Sequence, residues 1–244
     1  MTESAAPRAN ADPAELDKFA ALASRWWDPQ GEMRALHQLN PLRLDWIEQQ
    51  AGIAGQRCLD CGCGGGLLAE GLAQRGAARV LGIDLTDEAL TVARLHAGEA
   101  GLDGLDYRLA SAAELAAEQE AAWDLVCCME VLEHVPEPAT LVADLARLVR
   151  PGGSVLLSTL NRNLKSFALA IVGAEYLLRL LPPGTHEYAR FIRPSELDDW
   201  AGDAGLVLQA LCGIVYDPLR RDFRLDEQDV AVNYLAHFRR PASP

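Results

Sequence analysis

Half of the 244 residues are hydrophobic and 23% are charged, which is enough apolar material for one α/β unit or at most two small ones. The 35 acidic and 22 basic residues leave a net charge of −13, which argues against a general nucleic-acid binder, since that would carry a basic stripe. No uninterrupted apolar run reaches the ~18–20 residues that span a bilayer. The start lacks the basic-then-apolar pattern of a secretory signal, so a cytoplasmic protein is expected.

Residues 1–12 have no large aliphatic side chain after Met1 and read as a disordered tail, with 13–240 as one unit. Residues 15–27 and 41–50 look like amphipathic helices packed against the ligand edge of a sheet. Short apolar runs at 57–61, 79–84, 105–110, 123–129 and 154–160 predict strands, and 67–75, 87–100, 112–121 and 139–150 between them predict helices. Thr86 suits an N-cap, and Pro151-Gly152-Gly153 stops the helix before the fifth strand. Such alternation means a parallel sheet covered on both faces. After Leu160 the rhythm breaks, with an apolar stretch at 167–181, a helix at 195–204 and strand-like runs at 206–216 and 229–238. The expected fold is α/β: a doubly wound, mostly parallel, seven-stranded, Rossmann-like sheet with N-terminal helices and an apolar helical insertion (161–193) after the fifth strand. Of the six cysteines, Cys58, Cys61 and Cys63 have no second Cys/His pair at zinc-ligand spacing, so reduced thiols are expected.

Gly62, Gly64, Gly65 and Gly66 follow the first strand and open the first helix of the alternating run. That is where a doubly wound sheet binds a nucleotide-like ligand, and glycine lets the ligand lie against the backbone. Asp84 ends the second strand, 22 residues after Gly62, where a carboxylate can accept from both ribose hydroxyls of an adenosine. Gly64-x-Gly66-x-x-Ala69 also fits a dinucleotide fingerprint, which leaves an NAD-dependent oxidoreductase as a rival.

The surrounding words separate the two. Leu59-Asp-Cys-Gly-Cys-Gly-Gly-Gly66, Met129-Glu-Val-Leu-Glu-His-Val-Pro136 and Leu148-Val-Arg-Pro-Gly-Gly153 resemble, in order, three motifs of class I S-adenosylmethionine (SAM) dependent methyltransferases. Within that superfamily, Ala23-Ser-Arg-Trp-Trp-Asp28, Leu39-Asn-Pro-Leu-Arg-Leu44, Ser158-Thr-Leu-Asn-Arg-Asn163, Val172-Gly-Ala-Glu-Tyr176 and Pro183-Gly-Thr-His186 resemble the ubiquinone-biosynthesis O-methyltransferases. The resemblance covers about residues 15–238 and departs at Cys58 and Cys61, where aliphatic strand residues are expected. It implies SAM contacts at Arg43, Gly62, Asp84 and Met129. It also implies acceptors that are polyprenylated phenols, 3-demethylubiquinol and 2-polyprenyl-6-hydroxyphenol, and association with other proteins of that pathway. Arg43 offers a planar fork for a carboxylate, and Met129 a soft surface for adenine.

A phenol titrates near pH ~10, so a base or a metal assists its methylation at neutral pH. His134 is the candidate base, with Glu130 orienting it or taking a proton itself, and His186 is second choice. Glu130, Glu133 and His134, close in sequence, also invite a divalent metal, Mg²⁺ or Zn²⁺. The insertion holds five basic residues (Arg162, Lys165, Arg179, Arg190, Arg193) against two acidic (Glu175, Glu187), a net +3 within a −13 chain. A wide apolar face with basic flanks suits peripheral contact with an anionic inner membrane. Competing readings are a SAM methyltransferase on another small acceptor, and a lipid-binding protein without catalysis.

Overall fold

The computed structural model describes residues 10–163, 166, 188–217, 220 and 222–242. Strands β1 (Arg57–Cys61), β2 (Arg79–Asp84), β3 (Leu105–Leu109), β4 (Trp123–Met129) and β5 (Val149–Leu160) pair in parallel in the order 3-2-1-4-5. Helices α3 (Leu67–Gln74), α4 (Asp87–Ala100), α5 (Ala112–Glu118) and α6 (Pro138–Leu148) connect them. Beyond β5 the sheet turns antiparallel: β8 (Asn233–Arg239) pairs with β5, β6 (Val207–Asp217) with β8, and β7 (Asp222–Asp226) with β6. The described strands number eight, one more than expected, because 222–226 forms a hairpin with β6. Its sequence, Asp-Phe-Arg-Leu-Asp, alternates three charged residues with two apolar ones, and alternation over so few residues is a weak signal.

Local chemistry explains most element ends. Ser111 and Glu114 form a reciprocal capping box that starts α5. Thr86 occupies the N-cap of α4 but makes no side-chain cap; its amide instead donates to Asp84 Oδ1 at 2.9 Å. Gly101, left-handed at φ 64°, ends that helix. β5 begins at Val149 rather than 154 because Pro151-Gly152-Gly153 runs on within the strand, with a register irregularity opposite Trp123 and Leu125. The second N-terminal helix, α2 (Arg34–Ala51), starts well before residue 41 and carries Pro41 in its interior. A proline at the first helical position was the simpler expectation.

The core lies on both sides of the sheet. Leu59, Val126 and Cys128 face α5, α6 and α7 (Pro194–Asp203), whereas Cys58, Leu125, Cys127 and Met129 face α2 and α3. All six cysteines are free and buried, and burial pushes the Cys58 thiol up to about 12. They act as small apolar side chains, so the cysteines at 58 and 61 leave the strand core intact. The chain winds from β1 towards β3 on one side and from β4 towards β5 on the other. The crevice between β1 and β4 therefore opens at their carboxyl ends, the switch point of such sheets. No described helix is long and apolar enough to cross a membrane.

Candidate active site

A cavity of about 540 Å³ sits at that switch point, and Arg43, Gly62, Asp84, Met129, Glu130, Glu133 and His134 all line it. The glycine turn is held open from both sides. Gly62 has φ 74°, and a Cβ there would come within 2.4 Å of Val131. At Gly64 the added carbon would meet the Trp26 ring at 2.2 Å, so the segment after α1 (Pro13–Leu22) lies directly on the turn. Trp27 Nε1 donates to the Gly65 carbonyl at 2.9 Å, and its ring stacks on His96 at 3.4 Å.

Asp84 accepts the Gly64 amide on Oδ2 and the Thr86 amide on Oδ1, each at 2.9 Å. Those bonds fix the carboxylate while leaving each oxygen further lone pairs for ribose hydroxyls. Deeper in, Asp60 is 2% exposed; burial, and then the charge of Asp84, push its carboxyl up to about 7. Its Oδ2 has no hydrogen-bond donor among the described residues, and neither Nε nor Nη2 of the buried Arg43 has a well-aligned acceptor. A buried acid with one oxygen still open, beside a buried guanidinium that is paired with Glu130 but has an open Nε, fits the ammonium and carboxylate of an amino-acid group. Together with the ribose position, these residues fit SAM.

Glu130 is the hub of the other side. It is one of two non-glycine residues with positive φ among those described, at 56°. Its carboxylate accepts Ser158 Oγ at 2.6 Å and Asn233 Nδ2 at 3.1 and 3.2 Å, and lies 3.0 Å from Arg43 Nη2. Glu133 turns into the core, accepting Thr159 Oγ1 at 2.7 Å; burial, and then the charge of Glu130, raise its carboxyl well above the usual range. His134 Nδ1 lies 2.7 Å from Glu15 Oε2, with the Phe19 ring edge-on at 5.2 Å. The expected metal set of Glu130, Glu133 and His134 is thus corrected: the three side chains go to three different sets of partners. No group of three or more potential ligands comes together among the described residues.

Glu15 was not a sequence candidate, being 119 positions from His134, and neither was Asn233, 103 positions from Glu130. Asn10, on the predicted tail, instead bonds the Glu137 backbone, and Asp12 caps α1 and pairs with Arg190 at 2.8 Å. His37 bonds the Trp26 carbonyl, His96 the Glu70 carboxylate and His237 the Ser154 hydroxyl. His186 and the 167–181 stretch lie outside the described residues.

Residues 59–157 match the family model described as a methyltransferase domain. The ubiquinone biosynthesis O-methyltransferase of Leptothrix cholodnii is 58% identical over 95% of this chain and 98% of its own length. That of Azoarcus sp. is 56% identical, with 95% and 98% covered. Among solved structures, magnesium protoporphyrin IX methyltransferase from Synechocystis with bound SAH superposes with TM-score 0.68 at 21% identity, covering 92% of this chain and 97% of that one. A SAM-dependent methyltransferase from Aquifex aeolicus gives 0.59 at 15%, covering 93% and 97%. The structural likenesses carry the fold, and the high-identity relatives remove the dinucleotide reading of the glycine turn. The chain belongs to the ubiquinone biosynthesis O-methyltransferases, within the class I SAM-dependent methyltransferases.

Proposed function

We propose that this enzyme moves the methyl group of SAM to a phenolic hydroxyl of polyprenylated ubiquinone precursors, 3-demethylubiquinol and 2-polyprenyl-6-hydroxyphenol. The observation that carries the reading is one cavity that joins Asp84 and the glycine turn to His134. SAM supplies an electrophilic methyl carbon bound to a sulfonium.

Asp84 holds the ribose, Gly62 admits the ligand against its backbone, and Met129 lies beneath the adenine side. Arg43, whose Nη2 pairs with Glu130, and Asp60 take the amino-acid end through their atoms still open to charge-assisted bonds. Glu130, already engaged by Ser158, Asn233 and Arg43, acts by positioning those neighbours rather than by taking the proton. Glu15 accepts from His134 Nδ1, which assigns the proton-accepting lone pair to Nε2. The phenol oxygen forms its bond to the methyl carbon as the carbon–sulfur bond breaks, and its proton passes to His134 Nε2. Positioning of the reactants contributes up to ~7–11 kcal/mol of such a barrier.

Peripheral contact with an anionic membrane, on its cytoplasmic side, is the second part of the reading. It is supported by the apolar stretch and the +3 of 161–193. Two of those five basic residues are engaged within the fold, Arg162 with Glu196 and Arg190 with Asp12. A lipid acceptor at that surface also brings the enzyme beside other proteins of the pathway. Incubation with SAM and a short-tailed demethylubiquinol should yield a product heavier by one methylene, read by mass. No such product, with SAM bound, refutes the acceptor class.

A further inference from the structure

Strand order divides the cavity. Asp84 ends β2 and Gly62 follows β1, so the donor half lies on that side of β4, while β5, β8, β6 and β7 carry the other half. At ~4.8 Å per strand, that second half extends roughly 19 Å past β4. Its wall is apolar: Leu39 from α2, Leu160 at the end of β5, Val232 ahead of β8, and Ile214, Tyr216 and Phe223 from the β6–β7 hairpin. Tyr216 pairs across the hairpin with Phe223, and Ile214 with Leu225, so the period of two puts all four on one face. The Tyr216 and Phe223 rings are 5.1 Å apart and only half-buried. Ile214 and Phe223 pack in the same cluster as Leu39 and Met129, which makes this wall continuous with the floor of the donor half. Asn233, bonded to Glu130, marks the inner end, and Asp229 adds a further carboxylate on this side.

We infer that the β6–β7 hairpin seats the isoprenoid tail of the acceptor. A ring whose hydroxyl meets His134 has the donor on one side, so a chain attached to it leaves along the other half. There the chain covers aromatic surface that is only half-buried. The inference rests on the acceptor class proposed above. The strand beyond the expected seven then lines an aliphatic-chain subsite, separate from the site of the ring.

Calorimetric titration of the S-adenosylhomocysteine-loaded protein with catechol and with geranyl catechol tests it. The wild type should bind the geranyl compound at least ~100-fold more tightly than catechol. Phe223→Asp and Tyr216→Asp should each cut that preference about tenfold or more. Both should leave the affinities for catechol and S-adenosylhomocysteine within about twofold. Phe223→Ala, a milder change, should cut it about threefold, and it decides the matter if an Asp variant does not fold. The inference is overturned if the wild type shows no tail preference, or if all variants keep it. It is also overturned if a variant that still binds S-adenosylhomocysteine loses both acceptors alike. Turnover is read separately. Tail preference without methyl product sinks the acceptor reading and leaves the subsite standing, and product without tail preference does the reverse.

Discussion

Asp84 and Asp87 stand three positions apart, yet only the first lines the cavity. Asp84→Ala should weaken SAM binding by ~1.5–3 kcal/mol, as expected for loss of a charged hydrogen-bond acceptor, while Asp87→Ala leaves it within about twofold. Equal calorimetric affinities for the two variants would remove the ribose role. His134 and Glu15 make a sharper pair. His134→Ala should lower kcat by ~10²–10⁴ with SAM affinity nearly unchanged. Glu15→Ala should lower kcat roughly tenfold to a hundredfold at nearly constant KM, because the ring loses the acceptor on Nδ1. Glu15→Gln, which keeps an acceptor, should recover part of that loss. If Ala and Gln behave alike, Glu15 merely packs. His134 was legible because it follows a strand end in a recognisable motif. Glu15 was not, because only tertiary packing of α1 brings it there and nothing in its neighbourhood marks it.

At the scale of elements, β8 carries a titratable group into the core. His237 is 4% exposed, its Nε2 lies 3.0 Å from Ser154 Oγ, and burial, then the charge of Arg239, lowers it to about 4. Its pKa is depressed from an ordinary ~6.5, so the unfolded chain binds more protons between the two values. Stability from this group is complete above pH ~6.5 and lost as pH falls towards about 4. Unfolding free energies from urea titrations at pH 7 and 5 should differ by on the order of 1 kcal/mol more in wild type than in His237→Gln. Equal differences in the two proteins would mean that His237 does not contribute. The regular strands were legible here, β1, β2 and β4 to the residue, because each is a short apolar run ended by turn residues. Two elements were hidden by chemistry that is ambiguous in a linear reading. Pro41 suggested a helix start where it lies mid-helix, and β7 is too short and too charged for its alternation to stand out.

For the molecule as a whole, the charge of the chain and that of 161–193 oppose each other in sign. Wild type should co-sediment with anionic vesicles, less so as salt rises, and hardly with neutral ones. Placing Asp at Ile171 and Leu178, both in the 167–181 stretch, should release it while SAM binding persists. Equal sedimentation of the two proteins would end the membrane reading. The donor half of the site was legible in the sequence because its residues stand at strand ends in fixed order. The acceptor half was not, since Asn233, Ile214 and Phe223 meet Glu130 and Leu39 only through sheet order. The stack of Trp27 on His96, with Trp26 against the glycine turn, gives the enzyme a built-in optical probe. Two of its five indoles sit on the lip of the donor site, so ligand entry or release of the N-terminal segment alters their surroundings. Tryptophan emission, followed in a stopped-flow instrument without any label, should therefore time SAM arrival separately from methyl transfer.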